Sequence, residues 1–263
     1  MLSSCELRKT FKSNFRNRKK IFGGWTSIYH PSIIDIISRA NFDFIGIDLE
    51  HSTISLEQSL NIMNVCQGRD VLCFPRLPIL EPVAMKRLLD SGADGLLAPL
   101  ISNKQDVMNF IQWSKYPPQG KRSYGVARGQ GFGFDFEVYI KQWNESSILI
   151  AQVETIEGVE HIDEILSFEE LDGVMIGPYD LSGSLNIPGK LEHPLVKKAT
   201  DRVISACQKW NKGCGIHIVE PDPKNVHGAF SSGHTFVVLS SDIFTLWKWS
   251  ARMKGLISES RSL

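Results

Sequence analysis

Short β-branched or aromatic runs alternate along this chain with longer stretches whose apolar positions recur every three or four residues. That alternation builds a parallel sheet covered by helices. Strands are predicted at Ile21–Trp25, Phe42–Asp48, Val71–Arg76, Gly95–Ala98, Ile148–Glu154, Gly173–Ile176, Cys214–Val219 and Thr235–Leu239. Helical spacing falls at Ser32–Ala40, Leu56–Cys66, Pro82–Ser91, Gly158–Leu166, Pro194–Trp210 and Pro223–Ser231, with Gly92, Gly213 and Gly233 placed to end helices in a left-handed cap. Eight β-α units in about 250 residues predict an α/β chain folded as a (β/α)8 TIM barrel, ahead of an open doubly wound sheet. No linker or repeat divides the pattern, so one barrel domain is expected over residues 21–256, after a leader at 1–20 and before a tail at 257–263. The longest irregular stretch, Tyr116–Gly133, holds two prolines and five glycines, a length that usually serves function.

Composition narrows the class. The chain has 263 residues, 42% of them hydrophobic, which excludes disorder as the main state. Lys and Arg number 29 and so do Asp and Glu, so no global field draws the protein to nucleic acid or to a membrane, and neither partner is expected. No apolar run approaches the roughly 20 residues needed to cross a bilayer. The basic leader (Arg8, Lys9, Lys12, Arg16, Arg18, Lys19, Lys20) lacks a signal-peptide core and reads as a solvated helix. Cys5, Cys66, Cys73, Cys207 and Cys214 are odd in number and lack CxxC spacing, which fits a reducing cytoplasm.

A barrel carries its chemistry at the C-terminal ends of its strands, and reactive side chains collect there. The second strand runs out into Asp48-Leu49-Glu50-His51-Ser52, the third ends at Arg76, the fifth at Gln152-Val153-Glu154, and the sixth leads into Gly177-Pro178-Tyr179-Asp180. Glu154 and Asp180 end adjacent strands and could converge on one hard dication. Without thiolate or paired His nearby, oxygen donors favour Mg²⁺ or Mn²⁺. Helix capping or pairing with Lys is the structural alternative, more so for Asp180. Arg76 needs an anionic partner, either a substrate carboxylate or a structural pair with Asp48 or Glu50. His51 stands where Asp48 could orient it as a base. The loops Val219–Pro223 and Ser240–Asp242 are too acidic for a phosphate cradle, and Gly129–Phe134 lacks the βαβ context of a nucleotide loop.

The ordered segments Ile47–His51, Pro75–Pro78, Lys86–Gly92, Tyr116–Arg122, Gln152–Thr155 and Gly177–Ser182 resemble the HpcH/HpaI family of metal-dependent class II pyruvate aldolases over roughly Phe22–Leu256. The resemblance implies Glu154 and Asp180 as ligands of a divalent metal, Mg²⁺ or Mn²⁺ first with Co²⁺ as a further candidate. It implies His51 as general base and Asp90 as the acid that raises its basicity. Arg76 would hold the substrate carboxylate, while Gln152 and the backbone at Tyr179 would touch substrate. It also implies a homo-oligomer, a dimer-based hexamer with an exchanged C-terminal helix, for which Phe244, Leu246, Trp247 and Trp249 are suited. The expected reaction is reversible cleavage of a 4-hydroxy-2-oxo acid to pyruvate and an aldehyde.

Three features depart from the better-known members: the loop Gly125–Gly133, expected at the substrate mouth with Arg128 as a contact for an anionic or hydroxylated substrate end; His217 on the seventh strand; and Ser240-Ser241-Asp242 after the eighth. Competing readings are a lyase for coenzyme A thioesters of the malyl or citryl type and a non-catalytic metal- and pyruvate-binding barrel. A Schiff-base aldolase is disfavoured because no strand ends in Lys.

Overall fold

The protein is described by a computed structural model over residues 4–262. Among these residues eight parallel strands close into a barrel in sequence order, and β1 (Ile21–Thr26) pairs with both β2 (Phe44–Asp48) and β8 (Phe236–Leu239). The chain opens with α1 (Ser4–Arg16), and α2 (Pro31–Ile37) joins β1 to β2. After β2 come α3 (Leu56–Gln67), β3 (Leu72–Arg76), α4 (Pro82–Asp90), β4 (Gly95–Ala98) and α5 (Lys104–Ser114). A 3-10 turn at Arg128–Gly133 and α6 (Phe136–Ser146) lead into β5 (Ile148–Val153), then α7 (Ile156–Glu160) and α8 (Ile162–Leu166). The last third runs β6 (Gly173–Ile176), α9 (Pro178–Ser184), α10 (Pro194–Lys209), β7 (Gly213–Ile218), α11 (Pro223–Ser232), β8 and α12 (Asp242–Ser262). The predicted (β/α)8 TIM barrel is the fold.

Local chemistry explains the boundaries. Pro31, Pro82, Pro178, Pro194 and Pro223 open helices where a missing N–H costs nothing, and Ser55 with Gln58, and Asn103 with Asp106, form reciprocal capping boxes. Gly92 and Gly233 adopt φ +98 and +110 after α4 and α11, as expected of left-handed caps. Gly213 does not. It is the first residue of β7, and Asn211 takes the positive φ of +52 after α10. The helix expected at Gly158–Leu166 begins at Ile156 and breaks at His161 into α7 and α8.

Two cores follow from strand alternation. Inward residues Trp25, Phe44, Phe74, Leu97, Ile150, Met175, Phe236 and Val238 fill the barrel, and outward residues such as Ile45, Cys73 and Val174 pack under the helices. Glycines make room inside: a Cβ at Gly46 would lie 2.2 Å from the Trp25 ring, and one at Gly215 would lie 2.0 Å from that of Phe236.

The solvated leader is corrected by the structure. One face of α1 closes the N-terminal end of the barrel, with Phe11 centred 5.1 Å from Phe74 and Phe15 5.2 Å from Phe236. Arg8 pairs with Asp94 at 3.2 Å and Lys12 with Asp172 at 2.9 Å, on the short links that enter β4 and β6. The basic residues set the charge of the helix, whereas Phe11 and Phe15 on its buried face decide where it packs.

Candidate active site

The period-2 rule that builds the barrel also assembles the site. Continuing inward from Phe44, Phe74 and Ile150, the same parity reaches Asp48, Arg76 and Gln152 at the C-terminal mouth, with Glu154 one step further. Registers agree, since Asp48 lies opposite Arg76.

Arg76 is gripped on two sides. Its Nε and Nη2 donate to Asp48 Oδ1 and Oδ2 at 3.1 and 2.8 Å, and Nη1 lies 3.1 Å from Glu50 Oε2. The guanidinium sits 5.1 Å from the centroid of Trp25. Burial works against ionisation of Asp48, but the charge of Arg76 and the N–H groups of His51 and Glu50 outweigh it and hold the carboxyl below its usual range. The structural pair considered for Arg76 is therefore present, with both candidate partners. A guanidinium has five N–H groups; two bond Asp48, the contact with Glu50 is an ion pair whose Oε2 accepts no hydrogen bond, and the remaining η hydrogens are available to a ligand.

Glu154 is buried. Oε1 accepts from the Leu100 N–H at 2.8 Å and Oε2 accepts from Gln152 Nε2. Gln152 Oε1, turned away by that contact, is buried without a hydrogen-bond partner. Gly177 is required beside it, because a Cβ there would lie 2.6 Å from Glu154 Oε2. Desolvation raises the Glu154 carboxyl above its usual value, the two hydrogen bonds oppose this, and the charges of Asp180 and Glu50 add to it. Glu50 is likewise raised, by burial first, with Arg76 opposing and Asp48 and Asp180 adding.

Asp48, Glu50, Glu154 and Asp180 thus share one mouth with a single guanidinium. Crowded carboxylates, of which Glu50 and Glu154 are raised by burial first and by neighbouring negative charge second, are a donor set for a hard cation, and the orphaned Gln152 oxygen beside them fits the same chemistry. Among the described residues no three His, Cys, Asp or Glu side chains form a group that could hold a metal ion by themselves.

Asp180 is in the first turn of α9, exposed, and makes no side-chain cap bond, so the capping alternative does not describe it. Tyr179 beside it is exposed too. His51 stands at the rim, its Nε2 3.8 Å from Glu50 Oε2. Asp48 does not orient the ring as expected: the contact it makes with His51 is to the backbone N–H, at 3.1 Å, and its carboxylate is otherwise taken by Arg76 and the Glu50 N–H.

Asp90 is not brought to His51. It ends α4 at the opposite end of the barrel, where Arg122 donates to it at 2.8 Å. The loop holding Gly125–Gly133 lies at that same N-terminal end and so does not form this chain's mouth. Arg128 there donates to the Ser91 carbonyl at 3.0 Å and to Gln67 Oε1 at 2.7 Å. This loop lies between α5 and α6 on the way to β5, and in a βα barrel the links that lead from helix to strand lie at the N-terminal end of the sheet. Trp25 and the Leu100 N–H were not among the site residues expected from sequence, and Glu50 was expected only as a partner of Arg76. The inward parity of β1 would have found Trp25.

A family profile described as HpcH/HpaI aldolase/citrate lyase matches residues 22–248. The chain belongs to this family. It is 31% identical over 238 residues to a hydroxypyruvate/pyruvate aldolase of Roseobacter denitrificans, covering 90% of this chain and 92% of the relative. It is 27% identical to a 5-keto-4-deoxy-D-glucarate aldolase of Citrobacter koseri, covering 92% and 94%. A solved HpcH/HpaI aldolase of Desulfitobacterium hafniense superposes with a TM-score of 0.86 at 27% identity, covering 94% and 96%. Membership makes the protein an enzyme of the aldolase and lyase kind. No described helix is long and apolar enough to cross a membrane.

Proposed function

We propose that the protein is a divalent-cation-dependent pyruvate aldolase, reversibly cleaving a 4-hydroxy-2-oxo acid to pyruvate and an aldehyde. The observation that carries this reading is the crowding of Glu154, Asp180 and Glu50 beside the carboxylate-binding edge of Arg76.

Glu154 and Asp180 would hold the cation, Mg²⁺ or Mn²⁺ on the chemistry of two carboxylates, and when bound it supplies a Lewis-acid charge next to the oxo-acid oxygens. Arg76, fixed by Asp48 and Glu50, binds the substrate carboxylate with its free η hydrogens and places the reacting carbons over the mouth. Gln152 donates to Glu154 and keeps that carboxylate aimed inward, while its own Oε1 meets the substrate. His51 at the rim takes the proton from the C4 hydroxyl as the C3–C4 bond breaks, and the enolate carbon C3 takes up one proton to complete the methyl group of pyruvate; condensation reverses both transfers. Trp25 walls the site and limits water around the developing charge. The relatives named as aldolases favour this reading over thioester cleavage.

Pyruvate incubated with the protein, Mn²⁺ and deuterated water is expected to lose its methyl protons in the NMR spectrum, and EDTA is expected to stop the exchange. Exchange that persists in EDTA, or turnover confined to coenzyme A thioesters, would overturn the assignment. For assembly we propose a homo-oligomer built through α12, on which Leu246, Trp247, Trp249, Leu256 and Ile257 are all exposed. A cytoplasmic location agrees with five free cysteines, four of them buried.

A further inference from the structure

His217 sits at the inward parity of β7, after Gly213 and Gly215, in the same mouth as Arg76 and Gln152. Its ring lies 5.6 Å from Trp25, the indole that also carries the Arg76 guanidinium, and 5.8 Å from Phe244. Nε2 is 2.9 Å from the Ser240 carbonyl. A carbonyl only accepts, so Nε2 carries the hydrogen. Ser240 holds this carbonyl in place with a φ of +58, a left-handed conformation that is unfavourable for a residue other than glycine, and its own N–H donates to Ile218 at 2.8 Å.

Burial lowers the imidazole to about 4; the Ser240 carbonyl opposes this, Arg76 adds to it and Asp48 opposes it. The ring is neutral at working pH, and with the hydrogen on Nε2 its Nδ1 presents a bare lone pair. No described group donates to Nδ1, and it is not among the atoms sealed from solvent. A carboxylate or carbonyl oxygen placed there would set lone pair against lone pair. In a small oxo acid or aldehyde the group able to satisfy it is a hydroxyl.

We propose that His217 is a specificity-determining residue whose Nδ1 accepts a hydrogen bond from a hydroxyl of the bound substrate, so that the site selects hydroxylated substrates over those without the group. The inference rests on the aldolase reading above. The hydroxyl has two sources, C3 of the oxo acid or the carbon next to the aldehyde carbonyl, and paired substrates separate them. One pair is glycolaldehyde against acetaldehyde, each with pyruvate; the other is hydroxypyruvate against pyruvate, each with acetaldehyde.

In one of these pairs the ratio of kcat/KM, hydroxylated over unhydroxylated, is expected to fall roughly tenfold in His217→Leu, the effect of leaving a hydroxyl unpaired. His217→Gln, whose amide N–H can still reach Ser240 and whose oxygen can accept, is expected to restore most of the ratio. Ratios unchanged in His217→Leu for both pairs overturn the proposal, as does a loss shared equally by both members of each pair. Should His217→Leu fail to fold by circular dichroism, the Gln variant against His217→Met carries the same comparison. Absence of pyruvate methyl exchange in the wild-type protein would instead overturn the aldolase reading, and the ratio of calorimetric Kd values for hydroxypyruvate and pyruvate would then decide the role of His217 by the same criterion.

Discussion

Asp48 and Arg76 meet side-on across the β2–β3 register, with Nε and Nη2 of the guanidinium on the two carboxylate oxygens at 3.1 and 2.8 Å. Both side chains are largely removed from water, so the pair fixes the position of the site's one guanidinium while its other edge faces Glu50, with Nη1 3.1 Å from Oε2.

Asp48→Ala strands a buried cation with Glu50 as its remaining partner. Urea denaturation is expected to show a loss of about 3 kcal/mol. Arg76→Lys keeps the charge but loses the fork, and kcat/KM for the oxo acid is expected to fall about 100-fold with little change in melting temperature. A Lys variant of wild-type efficiency would remove Arg76 from the carboxylate site.

For Glu154 the sign of the pH dependence follows from its raised carboxyl. Between the unfolded value and the raised folded value the folded protein holds the extra proton, so stability falls as pH rises through that window and stays lower above it. Glu154→Gln removes this cost. In EDTA at pH 7 it is expected to melt no lower than wild type, whereas Mn²⁺ at 100 times its Kd is expected to stabilise wild type by about 2.7 kcal/mol and leave the variant unmoved. Scanning calorimetry with and without Mn²⁺ reads both, and a variant still stabilised by Mn²⁺ would refute the ligand assignment.

The Glu50 charge contributes to the raised Glu154. Glu50→Gln is therefore expected to shift the acidic limb of Mn²⁺ binding to lower pH. A titration of Mn²⁺ affinity between pH 4 and 7 tests the direction, and a shift the other way would mean that Glu50 is itself a ligand.

Phe15 seals the barrel floor against Phe236 and the Cα face of Gly213, where a Cβ would lie 1.9 Å from its ring. Phe15→Ala is expected to cost about 3–5 kcal/mol in urea denaturation. Gly213→Val is expected to destabilise through overpacking. Tolerance of both would mean that α1 is dispensable to the core.

Trp247 and Trp249 are 57% and 60% exposed on α12. Replacing both by Ser is expected to lower the mass found by light scattering toward that of the single chain without lowering the helical signal. Unchanged mass would place the assembly contact elsewhere.

Much of this was written in one dimension. Strand existence followed from runs such as Ile148–Val153, helix starts from Pro82, Pro194 and Pro223, and the site carboxylates from their positions at or just past the ends of β2, β5 and β6. These are local consequences of periodicity, of an unsatisfied N–H and of chain direction, and a linear string carries them. What the linear string lacked was the third direction. Whether Asp48 would serve His51 or Arg76 depended on register between neighbouring strands, and whether Asp90 and Arg128 would stand at the mouth or the floor depended on which end of the barrel each link occupies. Phe11 and Phe15 became the floor itself only because closing eight strands leaves an apolar opening that water would otherwise fill. Sequence determined the elements and the inventory of reactive groups; closure of the barrel decided which of them meet, because pairing energies depend on distances that only the folded chain sets.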